Sequence, residues 1–184
     1  VQAEETLSEL PKPLAKRVFI VEDHPVFREG LKEMITPEEG VAICGEATDS
    51  ATALKGIRRL KPDLALVDIS LPNESGLNLI RKVRTAKLPI KLLVVSIHDE
   101  ALFAHRALLA GADGYIMKQE DPEEILHAIR DVLSGHTYLS EDILNSKGNT
   151  ATGRGRSTDV RLDRLTDQEL EILEWLGRGK NNVE

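Results

Sequence analysis

The sequence predicts an α/β fold, a five-stranded parallel sheet doubly wound by five helices. Three observations predict it. Five short apolar runs, "RVFIVE", "VAICGEA", "DLALVD", "KLLVVS" and "GYIMK", are rich in β-branched residues and too brief for helices. Amphipathic stretches with helix start and stop signals separate them. Strand and helix therefore alternate, the order that gives a parallel sheet covered on both faces.

Each element has its own grounds. The first strand begins at Arg17. His24 and Pro25 open the first helix, with proline suited to the first helical position, and Phe27, Gly30, Leu31, Met34 and Ile35 share one face. The second run carries Cys44, read as a buried structural thiol. Asp49 or Ser50 caps the second helix, whose stripe includes Leu54 and Ile57. The third strand ends on Asp68, and Leu77, Ile80 and Val83 mark the helix after it. The fourth ends on Ser96, and its helix carries Leu102, Leu108 and Leu109 before stopping near Gly111. The fifth ends on Lys118. Its helix is the clearest, with Asp121 as N-cap, Pro122 first, and Glu123 and Glu124 at the positive helix end. Ile125, Leu126, Ile129, Val132 and Leu133 form the stripe, and Gly135 stops it.

Residues 1–16 are acidic, proline-containing and aperiodic, and read as a flexible N-terminal arm. Residues 17–145 form the main domain, with "HTYLSEDILNS" read as a short helical extension. Residues 146–164, rich in Gly, Ser and Thr without apolar period, read as a solvated linker. At 165–184 order returns. Thr166 and Glu169 make a capping box, Leu165 can staple to Leu170, and Ile172, Leu173 and Leu176 share a face. So short a piece cannot bury a core alone, so it reads as part of a further domain.

Composition narrows the function. Apolar residues make up 41% and charged residues 30%, the profile of a soluble globular protein. A net charge of -7 excludes the chain as a whole from nucleic-acid surfaces. No apolar run approaches the roughly 20 residues of a membrane helix. The polar, acidic start is not a secretory signal. One cysteine excludes a disulfide framework and agrees with a cytoplasmic location.

In a parallel sheet, ligands bind beyond the carboxyl ends of the strands. The residues there are Glu22 and Asp23, Asp68, Ser96 and Lys118. Singly, each has an ordinary reading: the acids as caps or solvated charges, Ser96 as a polar strand end, Lys118 as a solvated charge. Together they bring three carboxylates, a hydroxyl and an ammonium to one edge. Clustered acids repel unless a cation neutralises them, and oxygen-only ligands suit magnesium. A metal on Asp23 and Asp68 leaves room for a phosphoryl group, for which Asp68 is a carboxylate nucleophile. Lys118 would offset charge on that group and Ser96 would hydrogen-bond one of its oxygens. The five histidines show no ligand pairing and read as solvated or structural.

The motifs "VEDHPVFREGL", "DLALVDISLPNESGLNLI", "LLVVSIHDE" and "AGADGYIMK" make the chain resemble, over residues 17–135, the response-regulator receiver domain of two-component signalling. The resemblance implies the flavodoxin-like receiver fold, Asp68 as phosphoacceptor, and magnesium held by Glu22, Asp23, Asp68 and the Ser70 carbonyl. It also implies Lys118 as the phosphate-contacting lysine, Ser96 and Tyr115 as the switch pair, and Pro72 and Gly76 as shapers of the site loop. From the residues alone, Tyr115 is a half-buried aromatic with its hydroxyl in water.

The piece "LTDQELEILEWLGRGKNNVE" resembles the first part of a LuxR-type helix-turn-helix domain, without the recognition helix that reads bases. The implied whole is a transcription regulator of the NarL/LuxR type. Its partners would be a sensor histidine kinase, DNA through the complete C-terminal domain, and a second copy of itself, with no membrane. Such a protein promotes only its own phosphorylation and dephosphorylation. One alternative is a metal-dependent phosphatase with an aspartyl nucleophile. Haloacid-dehalogenase-like enzymes place a second acid two residues after the nucleophile, where Ser70 stands, and their nucleophile ends the first strand. Another is a receiver acting only as a protein-interaction module.

Overall fold

The computed structural model describes residues 15–140 together with 165, 166, 169, 172 and 173. Five strands and five helices alternate: β1 (Lys16–Val21), α1 (Pro25–Ile35), β2 (Val41–Ala47), α2 (Ser50–Leu60), β3 (Leu64–Val67), α3 (Gly76–Thr85), β4 (Lys91–Ser96), α4 (Glu100–Ala110), β5 (Gly114–Met117) and α5 (Pro122–Leu133). All strand pairs are parallel, in the order β2-β1-β3-β4-β5. The α/β doubly wound, flavodoxin-like receiver fold that the sequence predicts is the fold observed.

Strand side chains alternate between two cores. Val18, Ile20, Leu64, Leu66, Leu93 and Val95 pack under α1 and α5. Phe19, Val21, Ala65, Val67, Leu92 and Val94 pack under α2, α3 and α4. β1 begins at Lys16, inside the predicted arm, because the Lys16 N–H pairs with the Gly40 carbonyl (2.7 Å).

Helix starts follow the capping chemistry. Asp49, not Ser50, caps α2 by accepting the Ala51 and Thr52 N–H groups. Asp99 caps α4 and Ser75 caps α3. Asp121 occupies the N-cap position of α5 without a side-chain cap bond, and Pro122 follows it. Gly111 ends α4 and Gly135 follows α5, both with positive φ.

Three readings change. α4 buries Phe103, Ala104, Ala107 and Ala110, while Leu109 is 75% exposed. Small alanines let the helix lie close to the sheet, so leucine positions misstate its buried face. Cys44 is only half-buried, at a bulge where the β1–β2 register slips. An extra residue in an edge strand is pushed out of the ladder. Tyr138 is not helical: it bridges Gly114 and covers the open edge of β5, with the Tyr115 N–H bonded to its carbonyl (2.9 Å). Ile172 and Leu173 are exposed, in keeping with a piece too short to bury a core alone.

The capping box is formed: Thr166 N–H donates to Glu169 Oε2 (2.8 Å), and Glu169 N–H to Thr166 Oγ1 (3.3 Å). The bulk of the arm, the remainder of the "HTYLSEDILNS" extension, the linker, Leu170 and Leu176 lie outside the described residues. No helix among the described residues is long and apolar enough to cross a membrane.

Candidate functional site

The strand order reverses between β1 and β3, because β2 lies on one side of β1 and β3 on the other. A crevice opens at the carboxyl ends of strands at such a switch point. The ladder there runs one residue past each strand: Glu22 N–H donates to the Ala47 carbonyl, and Asp68 N–H to the Val21 carbonyl, each at 3.0 Å. Two buried carboxylates therefore stand side by side on rigid backbone.

Lys118 answers both. Its Nζ lies 2.6 Å from Glu22 Oε2 and 2.9 Å from Asp68 Oδ2, and 4.7 Å from the Phe27 ring centroid. The second Glu22 oxygen accepts the His24 N–H (3.0 Å), and Asp68 Oδ1 accepts the Ser70 N–H (3.2 Å). Asp23 lies closer to solvent, with its Oδ1 3.1 Å from His24 Nδ1. Glu22, Asp23, His24 and Asp68 each offer one ligand atom, and these atoms lie within 4.8 Å of one another. The sequence reading left His24 out of this group.

Burial pushes the Glu22 carboxyl above the usual range, and the Asp68 charge adds to the push; Lys118 and the His24 N–H oppose it. The excess of negative charge is seen in the groups themselves, with one ammonium set against the three carboxylates of Glu22, Asp23 and Asp68. Three hard carboxylates, one of them open to solvent, fit magnesium, which keeps several waters and takes few protein ligands.

The loop after Asp68 is fixed from several sides. A Cβ on Gly76 would lie 1.9 Å from the Asp68 carbonyl oxygen, so only glycine lets α3 start this close. Glu74 accepts from Ser50 Oγ (2.7 Å) and from Lys82 (2.6 Å), tying the loop to α2 and α3. Those bonds, that to Lys82 first, hold the Glu74 carboxyl below its usual range.

Ser96 and Tyr115 converge on one residue, His98. The His98 N–H donates to Ser96 Oγ (3.3 Å), and the Tyr115 hydroxyl donates to the His98 carbonyl (2.8 Å). Tyr115 is fully buried, which overturns the half-buried expectation; its ring fills the core beneath α4. His98 is buried too, in keeping with a structural role, and shares a 2.8 Å hydrogen bond with Ser70 Oγ.

Beside His24, two further contributors are not marked out by the sequence reading. Arg28 donates from Nη1 to the Glu22 carbonyl (2.9 Å) and to that of Asp23 (3.4 Å), steadying the acid loop. Nothing in sequence separates it from a solvated helix charge. His98 is the other, and its signal was its position two residues past Ser96. Beside Asp68 and Lys118 an apolar groove runs between α1 and α5, with Val26, Phe27, Met34, Pro122 and Leu126 along it.

A family model described as the response regulator receiver domain matches residues 18–130. The Fimbriae Z protein of Salmonella typhimurium is 30% identical over 91% of this chain and 78% of its own length. The nitrate/nitrite response regulator protein NarL of Escherichia coli K12 is 29% identical over 90% of this chain and 76% of its own. Among solved structures, a LuxR-family two-component response regulator from Aurantimonas sp. SI85-9A1 superposes with a TM-score of 0.69. It is 33% identical and covers 74% of this chain and 98% of that one. The matched span contains every strand end that carries the acids, the serine and the lysine, and the chain belongs to the response regulators of the NarL/LuxR type through its receiver domain.

Proposed function

We propose that this protein is a phosphorylation-controlled transcription regulator in which Asp68 accepts a phosphoryl group from the phosphohistidine of a sensor kinase. The observation that carries this reading is the single ammonium of Lys118 set between Asp68 and Glu22 at the sheet edge. An Asp68 oxygen attacks phosphorus, the phosphorus–nitrogen bond of the donor breaks, and an acyl phosphate forms.

Glu22, Asp23, Asp68 and the Ser70 carbonyl would hold magnesium, which when bound offsets charge on the transferring phosphoryl oxygens. Lys118, in contact with Asp68, would share that task. Ser96 turns its hydroxyl to a phosphoryl oxygen, and Tyr115 responds to the change. The groove beside Asp68 gives the donor a surface to dock on. Kinase, cytoplasmic location, dimerisation and DNA control through a complete C-terminal domain follow from the same reading. So does the division into arm (1–16), receiver (17–145), linker (146–164) and helix-turn-helix piece (165–184).

A phosphatase acting on external substrates fits less well. Ser70 stands where that chemistry needs a second acid, and its hydroxyl is engaged by His98. Labelling with acetyl phosphate and magnesium tests the proposal. The wild-type chain is expected to take label and Asp68→Asn to take none. Undiminished label on Asp68→Asn would overturn it.

A further inference from the structure

His98 is in contact with both switch residues. It lies in the loop between β4 and α4 and contacts four other elements or loops. Its Nε2 meets Ser70 Oγ at 2.8 Å, its N–H meets Ser96 Oγ at 3.3 Å, and its carbonyl accepts the Tyr115 hydroxyl at 2.8 Å. Its ring stacks on Phe103 of α4, with centroids 4.6 Å apart and planes at 29°. Ser70 in turn donates its N–H to Asp68 Oδ1 at 3.2 Å. A continuous line of contacts therefore joins Asp68 to Tyr115 through Ser70 and His98. Ser96 is a branch of that line.

We propose that His98 is a positioning residue whose imidazole carries the state of Asp68 from Ser70 to Tyr115 and α4. The inference rests on Asp68 being the phosphoacceptor. A buried ring nitrogen keeps its hydrogen-bond partner. If a phosphoryl group on Asp68 moves the Ser70 backbone, His98 follows the Ser70 hydroxyl. The carbonyl that holds Tyr115 and the ring that packs on Phe103 belong to the same residue, so both move with it. In a close-packed core such a shift ends in a second discrete packing rather than being absorbed.

The test uses the full chain with Tyr138→Phe, which leaves Tyr115 as the one tyrosine of the two in the sequence. Fluorotyrosine is incorporated, and the fluorine resonance of Tyr115 is followed on adding magnesium and beryllofluoride to saturation. Acetyl phosphate labelling is measured in parallel. His98→Phe keeps a ring against Phe103 and drops the bond to Ser70. It is expected to take label while its Tyr115 response falls about twofold or more. His98→Gln, whose amide reaches Ser70, is expected to recover most of the response. A full response in His98→Phe overturns the proposal. If that variant does not fold, Ser70→Ala carries the same readout: a full Tyr115 response overturns the link and a reduced one supports it. A parent chain that takes no label overturns the phosphoacceptor reading itself, and this inference with it.

Discussion

The Lys118 ammonium lies 2.9 Å from Asp68 Oδ2, yet its contact with Glu22 Oε2 is shorter, at 2.6 Å. One cation thus serves two buried acids while Asp23 adds a third carboxylate nearby. The cluster keeps an excess of negative charge. On the proposed function, a bound cation would offset that excess and leave Lys118 free to meet phosphoryl oxygens. On the same reading, the cluster would favour binding over the stability of the metal-free fold.

Glu22→Gln tests that trade. An acid whose folded pKa is raised above its unfolded value near 4.5 binds its proton more tightly when folded. Stability therefore falls as pH rises from there through the raised value, and the loss is complete above it. Metal-free Glu22→Gln is expected to flatten that slope and to gain about 1 kcal/mol at neutral pH, Lys118 keeping its bond to Asp68. Its magnesium affinity should fall. Urea unfolding in a chelator at pH 5 and 7.5 measures the slope and the gain, and a magnesium titration without chelator measures the affinity. A variant less stable than wild type at pH 7.5 contradicts the account.

Asp23→Asn separates binding from folding. Asp23 is partly exposed and its side-chain partner is the exposed His24. Metal-free stability should stay within about 0.5 kcal/mol of wild type. Magnesium at a hundredfold excess over its dissociation constant is expected to stabilise the wild type by about 2.7 kcal/mol. The variant should lose most of that gain. Thermal melts across a magnesium chloride series decide it, and an equal gain in both proteins would remove Asp23 from the site.

Much of this was legible in sequence because it is written in short-range chemistry. β-branched runs ending in Asp68, Ser96 and Lys118 fix strands and their last residues together, and parallel order then brings those ends to one edge. Asp49, Pro122 and the Thr166–Glu169 pair announce helix starts within a few residues. What escaped depends on contacts between residues distant in sequence. The His98–Ser70 bond joins positions 28 apart, and the Tyr115 hydroxyl reaches His98 across 17. The alanine face of α4 was missed because close helix-to-sheet packing selects small residues, which a search for leucines passes over.

Gly76→Ala should be among the most damaging single-methyl changes in the chain. Its Cβ would sit 1.9 Å from the Asp68 carbonyl oxygen and 2.8 Å from the carbonyl carbon, a collision with backbone that no rotamer relieves. Either α3 or the Asp68 loop must move. A loss of about 2 kcal/mol or more is expected, within the range for overpacked cores, along with reduced labelling of Asp68. Chemical denaturation read beside acetyl phosphate labelling checks both. A variant as stable as wild type would mean that the loop approach is looser than the geometry shows.

Tyr115→Phe distinguishes a buried, bonded tyrosine from one that rests its hydroxyl in water. The ring is fully buried and the hydroxyl donates to the His98 carbonyl at 2.8 Å. Removing the oxygen takes a donor from a buried carbonyl while leaving the ring in place, so about 1–2 kcal/mol should be lost. A tyrosine with a solvated hydroxyl would lose nothing measurable on the same change, because water would replace the missing partner. Equilibrium unfolding in urea resolves the two cases. Because the carbonyl belongs to the residue that also holds Ser70, loosening it should loosen the loop beside Asp68. Faster amide hydrogen exchange at Ser70 in the variant is the expected local sign, and unchanged exchange there would mean that the two bonds on His98 act independently.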